Sequence, residues 1–135
     1  MGYNIEITYN ILKTGSVTKL LEYVRESAEE CFCQDFYEEY EFENKTQFQR
    51  RHCLMTINFP QSNVNYIIEF LNKIKKNHEL HIESIYNENN HSILYASQYF
   101  LTQKMDKNLA KKFKTERRER SYSDDETMIL NTISK

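Results

Sequence analysis

Cysteine and histidine are the residue types in this sequence that are best suited to binding a metal. Cys31 and Cys33 form a Cys-x-Cys pair, and His52 directly precedes Cys53. Structural zinc sites usually bring two close pairs of ligands together. Cys31 and Cys53 instead fall on apolar stripes, where cysteine serves as a small hydrophobic residue. The spacing therefore predicts neither a metal site nor a cofactor, and these four residues are the candidate ligands if a metal binds.

Carboxylates and thiols are the groups that could perform catalysis. The four glutamates between residues 38 and 43 could supply a general acid and base, but alternation along a strand directs them mainly to solvent. The Cys53 thiol would need a histidine base, and the neighbouring His52 points to the opposite side of the same strand. Two glycines are too few for a glycine-rich phosphate loop. No catalytic residue is predicted, and a small enzyme without a recognisable motif is the second alternative function.

The charged residues divide the sequence into an acidic and a basic region. Residues 22–43 contain nine acidic side chains and one base, Arg25. Residues 104–120 contain eight Lys and Arg against three acids, a net charge of +5 in a chain whose total is −2. Six cations are dense enough to contact phosphates or a protein partner: Lys111, Lys112, Lys114, Arg117, Arg118 and Arg120. The alternative is a solvated helix whose positive charge compensates the negative charge of the acidic region in the same chain.

Hydrophobic periodicity predicts the elements that position these residues. Alternation of polar and apolar residues predicts strands over residues 3–10, 36–43, 52–59, 80–86 and 92–97. Apolar residues at three- and four-residue spacing predict two amphipathic helices, over 17–31 and 64–76. Ser16 can cap the first helix, and Ser62 or Asn63 the second. Residues 44–47 are predicted to form the turn between the second and third strands.

The order of these elements indicates the fold. Strand, helix, strand, strand, helix, strand is the order of the ferredoxin-like split βαβ sandwich. We therefore predict an α+β fold of this type with one extra antiparallel strand and a C-terminal helical extension. Residues 1–97 would form the sheet domain, and residues 98–135 the charged helical extension. A chain of 135 residues has room for one such domain.

The first part of the extension combines aromatic and basic residues. Ser97 can cap a short helix that contains Tyr99 and Phe100. These two aromatics either form an exposed anchor for a partner or hold the extension against the sheet. A narrow apolar stripe on the following basic helix is predicted from residues that recur every four positions: Met105, Leu109 and Phe113.

The last part of the extension carries a helix-start signal. Residues 123–126 read Ser-Asp-Asp-Glu, which is a capping box. The apolar residues that follow it are Met128, Ile129, Leu130 and Ile133. They predict a short helix whose apolar side is buried either on the body of the same chain or on another chain. In the second case two copies would exchange their terminal helices, and the exchange would stabilise the assembly.

The sequence after residue 80 resembles a group of viral proteins. The segments that carry the resemblance are ILYAS at 93–97, YFL at 99–101, MDK at 105–107, the basic run, and SYSDDE at 121–126. They look like the C-terminal part of uncharacterised small proteins of giant nucleocytoplasmic large DNA viruses. The resemblance covers roughly residues 80–133 and implies a viral protein. It implies no activity, ligand or catalytic residue.

Cysteine content and hydropathy indicate the cellular setting. Three cysteines are an odd number, and a chain of this size can fold without disulfides, so a reducing intracellular compartment is expected. No apolar run approaches the ~20 residues of a membrane span. We therefore expect no association with a membrane.

The charge asymmetry favours a non-catalytic binding or assembly module over an enzyme. We expect a protein partner or a homo-oligomer, contacted through the acidic region and the basic helix. The alternative is a nucleic-acid-binding protein that contacts phosphates through residues 104–120. The comparable RNA-recognition motif stacks bases on aromatics of its third strand, and the third strand here lacks that glycine and aromatic pattern.

Overall fold

The computed structural model of the protein describes residues 2–10, 14–27, 30–44, 47–60, 63–77 and 80–134, with side chains for all of these except 10, 14–17, 35–44 and 47–53. In these ranges the strands are β1 (Tyr3–Asn10), β2 (Phe32–Asn44), β3 (Gln47–Phe59), β4 (Leu80–Asn87) and β5 (Ile93–Ala96). The helices are α1 (Thr14–Glu26), α2 (Val64–Lys75), α3 (Lys107–Glu119) and α4 (Asp124–Ser134), with a π-helix over Phe100–Lys104. This order agrees with the order predicted from the sequence.

The described strands form one antiparallel sheet in the order β2-β3-β1-β4-β5. β1 lies at the centre because it pairs with β3 on one side and with β4 on the other. The connections from β1 to β2 and from β3 to β4 each cross one intervening strand, as in a split βαβ unit. The predicted α+β class is confirmed. The connectivity of the first four strands is compatible with the ferredoxin-like plan, and β5 extends the sheet beyond β4.

The main core lies between one face of the sheet, the helix face, and helices α1, α2 and α4. Alternation places Ile5 and Ile7 of β1 on this face, where both are fully buried. α2 contributes a buried stripe at helical spacing: Ile67, Phe70, Leu71 and Ile74. α4 adds Ile129, which is also fully buried. The C-terminal extension therefore shares its core with the sheet.

The opposite face of the sheet, the far face, is polar and carries another part of the extension. On this face Asn58 donates a hydrogen bond to Asn4 at 2.7 Å, and both side chains are buried. Ala96 lies on the far face because it pairs with Ser84, which pairs with Glu6 of β1. A second cluster forms there from Ala96, Leu101, Ala110 and Phe113. The chain therefore passes from the far face to the helix face between α3 and α4.

The start of β2 and the end of α1 both differ from the predicted bounds, and irregular strand pairing explains the first difference. β2 begins at Phe32, four residues before the predicted start, and its pairing register shifts between Cys33 and Asp35. The shift interrupts the alternation of side chains, so the start of the strand lacks a period of two in the sequence. α1 ends at Glu26 rather than continuing to Cys31, which is buried although it lies beyond the helix.

Of the predicted helix starts, that of α2 is confirmed and that of α1 differs. Asn63 caps α2, with its side-chain oxygen accepting the Tyr66 N–H at 3.4 Å, as predicted. α1 begins at Thr14, two residues before the predicted cap. The Ser16 side chain, Ser62 and the centre of the predicted 44–47 turn lie outside the described part of the chain.

Candidate binding surface on the C-terminal extension

α3 is anchored to the far face by two of its side chains. Ala110 and Phe113 are 8% and 7% exposed and pack in the second cluster with Leu101. Asp106 caps the helix by accepting the Asn108 N–H at 2.8 Å, which satisfies a donor that the first helical turn leaves open. The anchored side therefore fixes which residues of α3 face solvent.

The apolar stripe predicted for this helix is correct only in part. Phe113 is buried and Met105 is half-buried, but Leu109 is 58% exposed. Met105 precedes the helix, which begins at Lys107. Around the helix Leu109 lies about 40° from Phe113 and about 100° from Ala110, so it stands at the edge of the buried side. Of the predicted stripe, Phe113 is therefore buried and Leu109 is exposed.

One side of α3 carries an uninterrupted row of cations, which we call the basic face. Its members are all exposed: Lys107, Lys111, Lys114 and Arg118. They are separated by four, three and four residues, and at about 100° per residue these intervals keep them within a sector of about 60°. At 1.5 Å per residue the row is about 16 Å long. The basic face therefore presents four positive charges along one line.

The acidic residues of α3 lie on its other side. Glu116 and Glu119 are exposed there together with Lys112. Lys112 Nζ is 3.9 Å from Glu116 Oε1, an exposed pair four residues apart that contributes little to stability. The acids that dilute the basic segment in the sequence therefore leave the basic face intact.

The structure divides the six cations predicted to contact a partner. Lys111, Lys114 and Arg118 belong to the basic face, whereas the other three are Lys112, Arg117 and Arg120. Sequence reasoning missed Lys107, which the spacing of four, three and four residues could have identified. Arg117 approaches the sheet. Burial, and then the Glu83 carboxylate, raise the pKa of Tyr95, and the charge of Arg117 partly offsets that rise.

Arg120 belongs to the junction between α3 and α4, which spans residues 120–123. Its Nη2 donates to Glu126 Oε2 at 2.5 Å, and its guanidinium lies 5.2 Å from the centre of the Tyr122 ring. Glu126 Oε1 accepts the Ser123 N–H, and Ser123 Oγ accepts the Glu126 N–H, both at 3.2 Å. These two bonds confirm the predicted capping box. The Glu126 carboxylate therefore ties the end of α3 to the start of α4.

The aromatics at the start of the extension have different environments. Phe100 is half-buried against the second cluster, and its N–H bonds Ser97 Oγ at 3.1 Å, as predicted for the cap. Tyr99 is 42% exposed. Phe100 thus helps to hold the extension against the sheet, and Tyr99 adds aromatic surface beside it.

Ser97 also fastens the extension to the sheet through Glu83, a residue that sequence reasoning missed. Ser97 Oγ donates to Glu83 Oε2 at 2.7 Å, and Thr8 Oγ1 donates to Oε1 at 2.8 Å. Glu83 is 7% exposed and lies where the register of β1 against β4 shifts, between Glu6 and Ile7. Both carboxylate oxygens are engaged in holding β1, β4 and the extension together. The group therefore has a structural role.

The apolar residues of α4 lie against the body of the same chain. Ile129 is fully buried, and Leu130 and Ile133 pack partly buried against the main core, while Met128 is 43% exposed. The Lys75 ammonium donates to the Thr132 carbonyl oxygen at 2.6 Å, which adds a polar tie between α2 and α4. Of the two predicted alternatives, the structure shows burial on the same chain.

The candidate metal ligands are only partly described. Cys31 is 1% exposed, and burial followed by the charge of Glu30 raises the pKa of its thiol to about 11. Cys33 is half-buried, and the side chains of His52 and Cys53 lie outside the described set. Among the residues that are described, no group of three or more His, Cys, Asp or Glu could hold a metal ion. Cys31 is therefore a hydrophobic residue of the core.

The acidic region contributes exposed carboxylates on α1. Glu22 and Glu26 are exposed, whereas Leu20 and Val24 of the same helix are buried in the main core. The acids of β2, including the candidate catalytic glutamates, follow residue 34, beyond which the side chains of this strand are not described. The described exposed acids of this region are therefore those of α1, where Lys19 and Arg25 are exposed as well.

Hydropathy and comparison with known proteins give two further results. In the part of the chain that the structure describes, no helix is long and apolar enough to cross a bilayer. Comparison with family models, curated protein sequences and solved structures finds no match to this chain.

Proposed function

We propose that this protein is a non-catalytic binding module that contacts an acidic protein surface through the basic face of α3. The single observation that carries the proposal is the exposed row of Lys107, Lys111, Lys114 and Arg118. Ala110 and Phe113, which are centred about 100° around the helix from this row, hold the helix on the sheet. Because the backbone of the row is already ordered, binding does not have to fold it, and this lowers the entropic cost of association.

A second copy of the chain offers a complementary surface. Residues 22–43 carry nine acids and one base, and Glu22 and Glu26 of this region are exposed on α1. A contact between the basic face of one copy and the acidic region of the next joins two different surfaces. Such a head-to-tail contact closes into a ring or continues as an open chain. The first partner to test is therefore the protein itself.

The expected interaction is weak and depends on salt. Each exposed ion pair contributes about 0–1 kcal/mol, so four cations in one row add up to a modest affinity. Charges at an exposed contact are screened over about 10 Å at 0.1 M salt. Association should therefore be visible at high protein concentration and low salt, and should disappear as salt is added.

Sedimentation velocity of the full-length protein at low and high salt tests the proposal. The test variant neutralises the basic face: Lys107→Gln, Lys111→Gln, Lys114→Gln and Arg118→Gln. The matched control removes the same number of exposed cations outside both the basic face and the acidic region: Lys73→Gln, Lys76→Gln, Lys104→Gln and Lys112→Gln. Both variants have the same net charge, so a difference between them reports the position of the charges.

The unmodified protein and the control should associate at low salt, and the test variant should remain monomeric. A monomer under every condition would contradict self-association, and equal behaviour of the two variants would contradict the role of the basic face. Deleting the extension is a poor substitute for these variants. It would remove Ile129 from the main core and destabilise the fold itself.

The same row of cations favours nucleic acid as a second candidate partner. Successive members of the basic face are about 4.5–6 Å apart along the helix axis, a spacing that suits contacts to a phosphate backbone. If all four contact phosphates of a duplex, the logarithm of the binding constant should fall against the logarithm of salt with a slope of about −3.6. Binding of a mixed-sequence strand or duplex that is lost only in the test variant would favour this candidate over a protein partner.

A further inference from the structure

The junction between α3 and α4 exposes a hydroxyl group among charged side chains. Ser121 is exposed and lies outside both helices, and the backbone of the preceding Arg120 is extended, with φ −72° and ψ 132°. Exposed segments without regular structure are where modifying enzymes reach a folded domain. Ser123 of the same junction differs, because its Oγ is engaged in capping α4.

Charge is unevenly distributed around Ser121. Arginines stand one, three and four residues before it, at positions 120, 118 and 117, with one acid, Glu119, among them. Further acidic residues begin three residues after it, at Asp124. Protein kinases select substrates by such charge patterns. Guanidinium groups form strong, directional pairs with carboxylates, so an acidic substrate groove would bind this sequence. The pattern is that of a substrate for a kinase that selects arginine on the N-terminal side of serine.

We propose that Ser121 is a phosphorylation site and that its phosphate opens the junction between α3 and α4. A further effect, weaker association through the basic face, rests on the function proposed above. In the reaction Ser121 Oγ attacks the γ-phosphorus of a magnesium-bound nucleoside triphosphate. The bond between that phosphorus and the bridging oxygen breaks, the nucleoside diphosphate leaves, and a carboxylate of the kinase accepts the hydroxyl proton.

The phosphate changes the electrostatics of the junction. It carries about −1.5 to −2 charges at neutral pH, and it stands next to Arg120, whose guanidinium now bonds Glu126 at 2.5 Å. The phosphate therefore competes with Glu126 for this guanidinium. It also adds negative charge at the C-terminal end of α3, where the helix dipole disfavours it. The dipole of α4 favours negative charge on the other side of the junction, but Asp124 and Asp125 already stand there and repel the phosphate.

Two effects follow from these changes. The first turn of α4 loses part of the contact that ties it to α3, so it should open more often. The positive potential at the Arg118 end of the basic face also falls, because the phosphate lies three residues away. The first effect needs no partner, whereas the second is measured only through association.

Mass spectrometry of the full-length protein after incubation with ATP and the catalytic subunit of cyclic-AMP-dependent protein kinase tests the site directly. We expect one phosphoryl group, located on Ser121, and none at that position in Ser121→Ala. Ser123→Ala should still be phosphorylated on Ser121. A variant with Arg117→Ala and Arg118→Ala should be phosphorylated at least about tenfold more slowly, since it loses two charge-assisted contacts with the kinase. The control, Arg25→Ala with Lys112→Ala, should react at the unmodified rate.

Phosphate found only at another residue, or equal rates for the two double variants, would overturn the assignment of Ser121. Hydrogen exchange in the first turn of α4 should be at least about threefold faster in the phosphorylated protein, and an unchanged rate would overturn the opening of the junction. Sedimentation separates these results from the proposed function. If the unphosphorylated protein does not self-associate, only the proposed function is contradicted. Phosphorylation of Ser121 and opening of the junction do not depend on self-association.

Discussion

Helices α3 and α4 are neighbours in the chain but are attached to the body in different ways. α3 has 13 residues, of which Ala110 and Phe113 are buried in a small cluster on the far face. α4 has 11 residues and buries Ile129 completely in the main core. A small anchor is enough to hold a charged helix in place while its cations stay in water. The comparison indicates that α3 provides the surface of the extension and α4 provides stability.

The largest expected effect is that of Ile129→Ala, because α4 shares the main core. Removing a fully buried isoleucine side chain should lower the free energy of unfolding by about 3 kcal/mol. Urea denaturation of the variant measures this change. Met128→Ala, which changes the neighbouring residue that is 43% exposed, is the control and should cost about 0.5 kcal/mol or less. Similar costs for the two variants would contradict the role given to α4.

Phe113→Ala tests the other side of the comparison. The second cluster is small and close to solvent, so it can relax around the lost ring, and we expect a cost of about 2 kcal/mol, below that of Ile129→Ala. The loss should be concentrated in α3, seen as faster hydrogen exchange there than in β1. Leu109→Ala, at an exposed position of the same helix, should have little effect. A larger cost than that of Ile129→Ala would reverse the comparison.

Alkaline pH should weaken the main core through Cys31. The pKa of this thiol is raised to about 11 in the folded protein against an ordinary value of 9.0, chiefly by burial. Above pH 9 the unfolded chain releases the proton first. The free energy of unfolding therefore falls as pH rises, by about 2 kcal/mol up to the folded pKa, and the full contribution is present below pH 9.

Cys31→Ala should lose this part of the pH dependence, and Cys33→Ala should keep it. Urea denaturation at pH 8 and about pH 10.5 measures the difference between the two variants. Identical slopes for both would show that another group carries the alkaline transition.

The smallest expected effects come from removing the capping side chains of α4 and α3, and they should differ between the two helices. Ser123→Ala removes the capping hydroxyl of α4 and should lower global stability by about 1 kcal/mol. Asp106→Ala removes the cap of α3 by a similar chemical change, but it should mainly fray that helix and leave the urea midpoint nearly unchanged. The two variants are compared by denaturation and by hydrogen exchange. Equal shifts of the midpoint would indicate that α3 is as tightly coupled to the core as α4.

Much of the fold could be predicted from the sequence because it depends on local signals. The alternation in β1, the cap at Asn63 and the capping box at residues 123–126 each involve residues close together in the chain. Glu83 could not be recognised, because its partners Thr8 and Ser97 are distant in the chain and only the folded sheet brings them to its carboxylate. The burial of Ile129 in the main core, where α4 packs on α2, is a long-range contact that local patterns do not specify.

The candidate surface was predictable in composition but not in shape. A count of charges finds the basic segment, yet it includes Lys112 and Arg120, which the structure places elsewhere, and it omits Lys107. The angular position of each residue on the helix separates these cases. That position becomes meaningful only when the start of the helix and its buried side are known, and Asp106 and Phe113 establish both.

The packing of α4 on α2 has a consequence for the synthesis of the protein. On the ribosome α2 and the whole sheet emerge well before α4, so the site that Ile129 occupies is open while the nascent chain grows. Exposed apolar surface in such an intermediate favours aggregation and binding by chaperones. The main core is completed only when α4 leaves the exit tunnel. The delay between the emergence of α2 and the emergence of α4 therefore sets how long the nascent chain remains vulnerable.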